Sequence, residues 1–275
     1  MEKIEHLYHY TSLESLALII KNRTIRLNSL DKMDDLQEQK TADVANLGKY
    51  IFITSWTDDS AESIPMWRMY TNPASGVRIK LRKNPFMWHD TTAEDIVQKT
   101  GIPLTADSDP NGRIHTFINL ADMMEKGFYA VEGFKGEILR QVTYTDDMAL
   151  LEPRVFKQDH EGTTLSLGLL GLHKSTYWAF QHEWRYRMQI IPVNFRLSPD
   201  RVEESLKYTM TQMIQGVGNP PFSHYDLDID PHAFSEMEIM CSPQMTYGNR
   251  VILEALVEKY NPQAIVQESK LQGKI

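Results

Sequence analysis

The chain has one cysteine in 275 residues, Cys241, so no internal disulfide can form and a cysteine-rich zinc site lacks ligands. With no activating neighbour, Cys241 reads as a buried thiol. No run of about 18 apolar residues occurs, which leaves no candidate for a membrane-spanning helix. The opening Met-Glu-Lys-Ile-Glu-His lacks the basic-then-apolar order of a secretion signal, so the expected location is cytoplasmic, with no membrane partner. A basic surplus is also missing: 29 Lys and Arg face 37 Asp and Glu, a net charge of −8, the wrong sign for nonspecific coating of nucleic acid. There is no GxGxxG, no P-loop, no repeat and no low-complexity linker, which removes the standard phosphate-cradling loops.

What remains is an ordinary globular composition, 41% hydrophobic and 24% charged, long enough to bury a sizeable core. The order of elements predicts an α+β fold: a mixed β core with helical insertions, in a single domain over residues 1–275, with 84–135 as an insertion. An aromatic strand, Leu7 to Ser12, runs into a helix capped by Thr11 or Ser12 that ends near Asn22, and a short strand, Thr24 to Asn28, follows. Lys49 to Trp56 reads as a central strand. Ile64 to Tyr70 reads as a short helix opened by Pro65, and Gly76 to Arg82 alternates as a strand. Helices are expected near Thr92 to Lys99, Phe117 to Lys126, Leu165 to Thr176, Asp200 to Gln215 and Tyr247 to Tyr260. Strands are expected at Glu137 to Tyr144, Met237 to Cys241 and Ala264 to Gln267, and a turn at Asp107 to Gly112.

The stretch from His173 to Arg187 carries the strongest chemical signal. A helix end is expected to run into a strand on which Glu183, Arg185 and Arg187 share one face while Trp184, Tyr186 and Met188 share the other. Two readings compete: a solvated Glu-Arg ladder, or a catalytic carboxylate at Glu183 crowded by cations and aromatics. Arg185 or Arg187 could grip a phosphate bidentately, but pairing with acids is the simpler expectation. His9 sits at a strand end beside a helix N-terminus, where an anion or ribose phosphate is favoured, or where the histidine serves only its own cap. Trp67 and Tyr70, three apart on a helix, are either core or a stacking platform.

Other clusters read more plainly. Asp31 to Glu38 and Asp226 to Asp230, the latter near His224 and His232, are acidic loops whose spacing matches no standard metal cage. No metal is therefore expected. Lys21, Arg23 and Arg26, and Arg78, Lys80, Arg82 and Lys83, are the candidates for a local basic groove, with solvated faces as the simpler reading.

Tyr8-His-Tyr-Thr-Ser12, Phe52-Ile-Thr-Ser-Trp56, Met66-Trp-Arg-Met-Tyr70, Gly76-Val77 and Trp178-Ala-Phe-Gln-His-Glu-Trp-Arg185, in that order, resemble a widespread bacterial family of unknown function. Ile239 to Pro243 and the helix after it are similar too. The loop Met33 to Glu38 departs from the family's Asn-Asp-Pro-like turn. More distantly, the order of parts resembles ADP-ribosyltransferases, including the DNA- and RNA-modifying toxins of bacterial conflict and phage defence. That resemblance implies NAD as co-substrate and Glu183 as the catalytic acid on a late strand. His9, with Tyr10 and Thr11 beside it, would hold a ribose, and Tyr70 or Trp67 would stack on nicotinamide. Gln181 would stand two before the acid on the same strand face, as in Gln-x-Glu members. It also implies a macromolecular acceptor and an antitoxin protein. Likeness to those toxins favours RNA or DNA as acceptor, and the acidic charge favours protein. The alternatives are a binding module on the same fold and an NAD glycohydrolase.

Overall fold

The computed structural model describes residues 4–101, 112–134, 138–160, 162–197 and 199–275. β1 (His6–Ser12) ends on the residue that caps α1 (Leu13–Asn22), the Ser12 hydroxyl accepting the Ser15 N–H. The left-handed Arg23 (φ 56°) then reverses the chain into β2 (Thr24–Ser29). After a long loop come β3 (Ile51–Thr57), α2 (Ile64–Tyr70, capped by Ser63) and β4 (Gly76–Arg82). β5 (His89–Thr92), α3 (Ala93–Thr100), β6 (Arg113–Thr116), α4 (Leu120–Lys126) and β7 (Phe128–Ala130) fill the segment expected to be inserted. Next are β8 (Leu139–Gln141), β9 (Thr143–Tyr144), α5 (Met148–Leu151), β10 (Phe156–Asp159), β11 (Gly162–Leu165) and β12 (His173–Lys174). β13 (Glu183–Pro192), α6 (Pro199–Ile214), β14 (His224–Asp228), α7 (Pro231–Ser235), β15 (Glu238–Cys241), α8 (Tyr247–Tyr260) and β16 (Ile265–Gln267) complete the chain.

The main sheet runs β14-β2-β3-β1-β4-β15-β16, with β13 on the other edge of β3 and β7 and β8 beyond it. β3 is central, as its run of aromatic and β-branched residues suggests. Its Phe52 and Trp56 face the larger core together with Tyr186 and Met188, while Ile51 and Ile53 face a second core built from Leu30, Leu47, Leu167 and Leu170. Both faces of the β3–β13 pair are therefore covered. The residues of 84–135 are not set apart: Ile96, Ile118, Leu120 and Phe128 join the larger core.

Three expectations change. Leu165 to Thr176 is not a helix but a strand end, a 3₁₀ turn at Leu167–Leu169 and β12. The strand expected at Glu137 to Tyr144 is split into β8 and β9, its first residue lying outside the described residues. Asp226 to Asp230 is no acidic loop but β14, paired to β2, followed by the Asp230 cap of α7. The turn expected at Asp107 to Gly112 lies outside the described residues, except for Gly112. Among the described residues no helix is long and apolar enough to cross a membrane.

Candidate functional site

The site originates in how strands share the edge of β3. β2 pairs with that edge at Ile53 and Phe52, and β1 pairs with it at Thr57 alone. Between the two, β1 and β2 diverge, and Ser55 is paired with neither. Along β13 the backbones of Glu183 and Arg187 bond to Val142 and Ile138 on the far side, so alternation turns the Ser55 backbone toward the gap. His9 fills part of it, its Nδ1–H donating to the Ser55 carbonyl at 2.8 Å. A cleft of about 380 Å³ opens there, lined by β1, β2, β3, α2 and the residues before β13. That volume lies within the range of about 300–1,000 Å³ common for small-molecule sites.

Glu183 stands at one wall of the cleft and is 3% exposed. A 3₁₀ turn, Thr176–Gln181, delivers it, and the left-handed His182 (φ 45°) twists the chain into β13. Its Oε1 accepts Arg185 Nε at 2.6 Å and its Oε2 accepts Lys174 Nζ at 2.9 Å. Its backbone N–H donates to the Tyr144 hydroxyl at 2.8 Å. Lys174 reaches across from β12, donates also to Gln181 Oε1 at 3.0 Å and lies 5.1 Å over the Trp178 ring. Arg185, 0% exposed, donates to the Gly171 carbonyl and binds Glu38 with its remaining nitrogen. Two acids and two bases thus share one buried pocket wall, formally neutral. The solvated ladder is excluded, because the second core covers this face.

Burial alone would raise the Glu183 pKa, but the charges of Arg185 and Lys174, with hydrogen bonds from Arg185 and Ser55, pull it down to about 2. Glu183 is therefore a carboxylate at any physiological pH. Burial drives Glu38 the other way, above the usual carboxylate range, against the pull of Arg185 and Lys174. Burial also lowers His9, against the opposing Ser55 hydrogen bond. Neutral and with its Nδ1 proton committed, His9 keeps Nε2 as an acceptor. The Tyr70 hydroxyl is raised by burial and then by Asp34 and Glu183, and it accepts a hydrogen bond from Gln181 Nε2.

Of the residues singled out from sequence, His9, Tyr10, Thr11, Tyr70, Gln181 and Glu183 line the same cleft. Trp67 does not. It is 2% exposed, edge-on to Tyr10, with its Nε1–H donating to Glu62; Tyr70 lies on the wet side of the helix and Trp67 on the packed side. Gln181 and Glu183 meet at Lys174, but not on one strand face, since Gln181 ends the 3₁₀ turn and His182 breaks the alternation. Arg187 is paired to Glu132 and not to the cleft. Four of the seven basic residues are engaged within the fold: Arg26 pairs with Asp226, Lys80 with Glu238 and Arg82 with Asp230, and Arg78 is buried under Tyr8 and Tyr10. Among the described residues no metal-ligating cluster is found. Sequence reasoning missed Glu38 and Lys174 as site residues. Lys174 carried a signal, nine residues before the acid; Glu38 had none that was local.

The fold and site define an α+β protein with a buried acid–base cluster on the wall of a forked-sheet cleft. Residues 66–186 match the model of a family described as protein of unknown function (DUF2971). The matched segment includes Lys174, Gln181, Glu183 and Arg185 and stops short of His9 and Glu38. No curated protein and no solved structure gives a match.

Proposed function

We propose that the cleft binds NAD and that the protein transfers ADP-ribose to a macromolecule. The observation that carries this reading is Glu183: an ionised, immobilised carboxylate on the cleft wall, with a neutral histidine facing the same space. Breaking the bond between ribose C1′ and nicotinamide develops positive charge on the ribose, and a fixed carboxylate stabilises that charge without reorganising. Glu183 would also accept the ribose 2′-OH, since a carboxylate offers about four lone-pair sites and Lys174, Arg185 and Ser55 occupy three of them. His9 Nε2 supplies a second acceptor for a ribose hydroxyl, and Tyr70 the ring beside the nicotinamide, a role Trp67 is too buried to share. Once nicotinamide leaves, a nucleophile of the acceptor bonds to C1′ and releases its proton. A toxin or phage-defence role, the nucleic-acid or protein identity of the acceptor, and an antitoxin partner rest on the resemblance to the toxin families. The neutralised basic residues argue against a nonspecific nucleic-acid groove.

One observation favours a second reading, a binding module without catalysis: both oxygens of Glu183 are held by cations that weaken its field. Incubation with adenylate-labelled NAD and a cell extract separates the readings. Label appearing in protein, RNA or DNA, and lost in Glu183→Gln, supports transfer and names the acceptor; free ADP-ribose alone means a glycohydrolase. No NAD consumption by the wild type sinks catalysis and leaves the binding module.

A further inference from the structure

We propose that Glu38 is a positioning residue for Glu183, acting through the Arg185 guanidinium that the two carboxylates share; the inference rests on the ADP-ribose-transfer reading above. Arg185 is held from three directions, by Glu183 on Nε at 2.6 Å, by Gly171 O on Nη1 at 3.1 Å and by Glu38 on Nη2. A guanidinium held on three sides cannot swing, so its planar fork fixes the carboxylate of Glu183. Glu38 also sets the charge. Without it, Lys174 and Arg185 would outnumber Glu183 and present a net positive wall to a ribose that is itself becoming positive. With Glu38 ionised, the form its contact with the Arg185 guanidinium favours, the wall is formally neutral, and part of the Arg185 field is turned away from the reacting carbon.

The loop that carries Glu38 is built for this delivery. Gly48 lies so close beneath it that a side-chain carbon there would stand 2.7 Å from Gln39 Cβ. The Asp43 carboxylate ties the loop down by accepting the backbone N–H groups of Val155 and Phe156, at 3.0 to 3.1 Å. The anchored acid is then left half satisfied, because the buried Oε1 of Glu38 has no hydrogen-bond partner. A buried carboxylate with an idle oxygen is a poor way to gain stability. Its placement makes sense as a device for orienting Arg185 and Glu183.

The test uses the full chain carrying Glu38→Gln, which keeps the shape and removes the charge, beside Glu38→Asp, which keeps the charge. Two readouts are taken: kcat and KM for NAD cleavage, and the nuclear magnetic resonance signal of the Arg185 Nε–H with its hydrogen-exchange rate. Glu38→Gln is expected to lower kcat about 10- to 100-fold, the scale seen when a metal ligand loses the outer-shell partner that orients it, with KM changed less than about twofold. The Arg185 signal should shift and exchange faster, and Glu38→Asp should recover part of both. An unchanged kcat or an unchanged Arg185 signal in Glu38→Gln overturns the proposal. If the wild type consumes no NAD, the transfer reading fails separately. The Arg185 signal then decides alone whether Glu38 holds the guanidinium.

Discussion

Two acid–arginine clusters lie two residues apart on one face of β13, and they are finished differently. At Arg187 every nitrogen is bonded: Nε and Nη2 donate to the carbonyls of Leu170 and Leu167, and Nη1 to Glu132, whose oxygens also take the backbone and side chain of Gln189. It does not line the cleft, and burial lowers its pKa despite Glu132. At Arg185 the cluster has two acids and two bases, opens on the cleft, and leaves one Glu38 oxygen unpaired. On the proposed function, burial and pairing alone do not mark a functional charge. The mark is a buried polar group that borders a cavity and has hydrogen-bonding capacity left over.

The largest effect should separate the clusters by stability. Arg187→Met strands the Glu132 carboxylate in the core and is expected to lower unfolding stability by about 3–5 kcal/mol, measured by denaturant unfolding. Glu183→Gln should cost less, because Glu38 remains to offset one of the two cations. In turnover the order inverts: Glu183→Gln should lower NAD cleavage by about 10² to 10³ per folded molecule, read as initial rates normalised to the folded fraction.

Acid sharpens the contrast. The folded pKa of Glu183 is held at about 2, below its unfolded value. Its stabilising contribution is thus present above the unfolded value and lost as pH falls through the folded one. The loss is expected to be about 3 kcal/mol and to vanish in Glu183→Gln, read from unfolding curves between about pH 5 and 2. Glu38 works against it, since a carboxyl whose pKa is raised on folding contributes most when protonated and loses that contribution as pH rises. The smallest effect is expected from Tyr70→Phe, which removes the hydroxyl that Gln181 bonds to. It should cost about 1 kcal/mol, measured as a shift in the denaturation midpoint.

The fold was legible where local rules suffice. The strand-cap-helix opening, the β3 run, the alternation of β4 and the whole of α8 follow from periodicity and capping. The alternation of Glu183, Arg185 and Arg187 was legible as well, but not its burial, because the second core comes from loops distant in sequence. The failed helix at Leu165 to Thr176 has the same cause. A helix would have spent the carbonyls of Leu167, Leu170 and Gly171 on its own ladder, whereas the buried guanidinia claim them. Gly171, at φ 71°, lets the chain leave helical geometry. Glu38 lies 147 residues from Arg185, a separation that no window of sequence spans. Trp67 shows the limit of helical spacing: residues three apart straddle the boundary between packed and wet faces.

The most direct test is NAD cleavage per folded molecule, at a temperature where all variants stay folded, in wild type, Glu183→Gln and Arg187→Met. The account predicts turnover in the wild type and in Arg187→Met, with loss of about 10² or more in Glu183→Gln. Equal rates in wild type and Glu183→Gln, or a comparable loss in Arg187→Met, would contradict the division of β13 into a catalytic and a structural cluster.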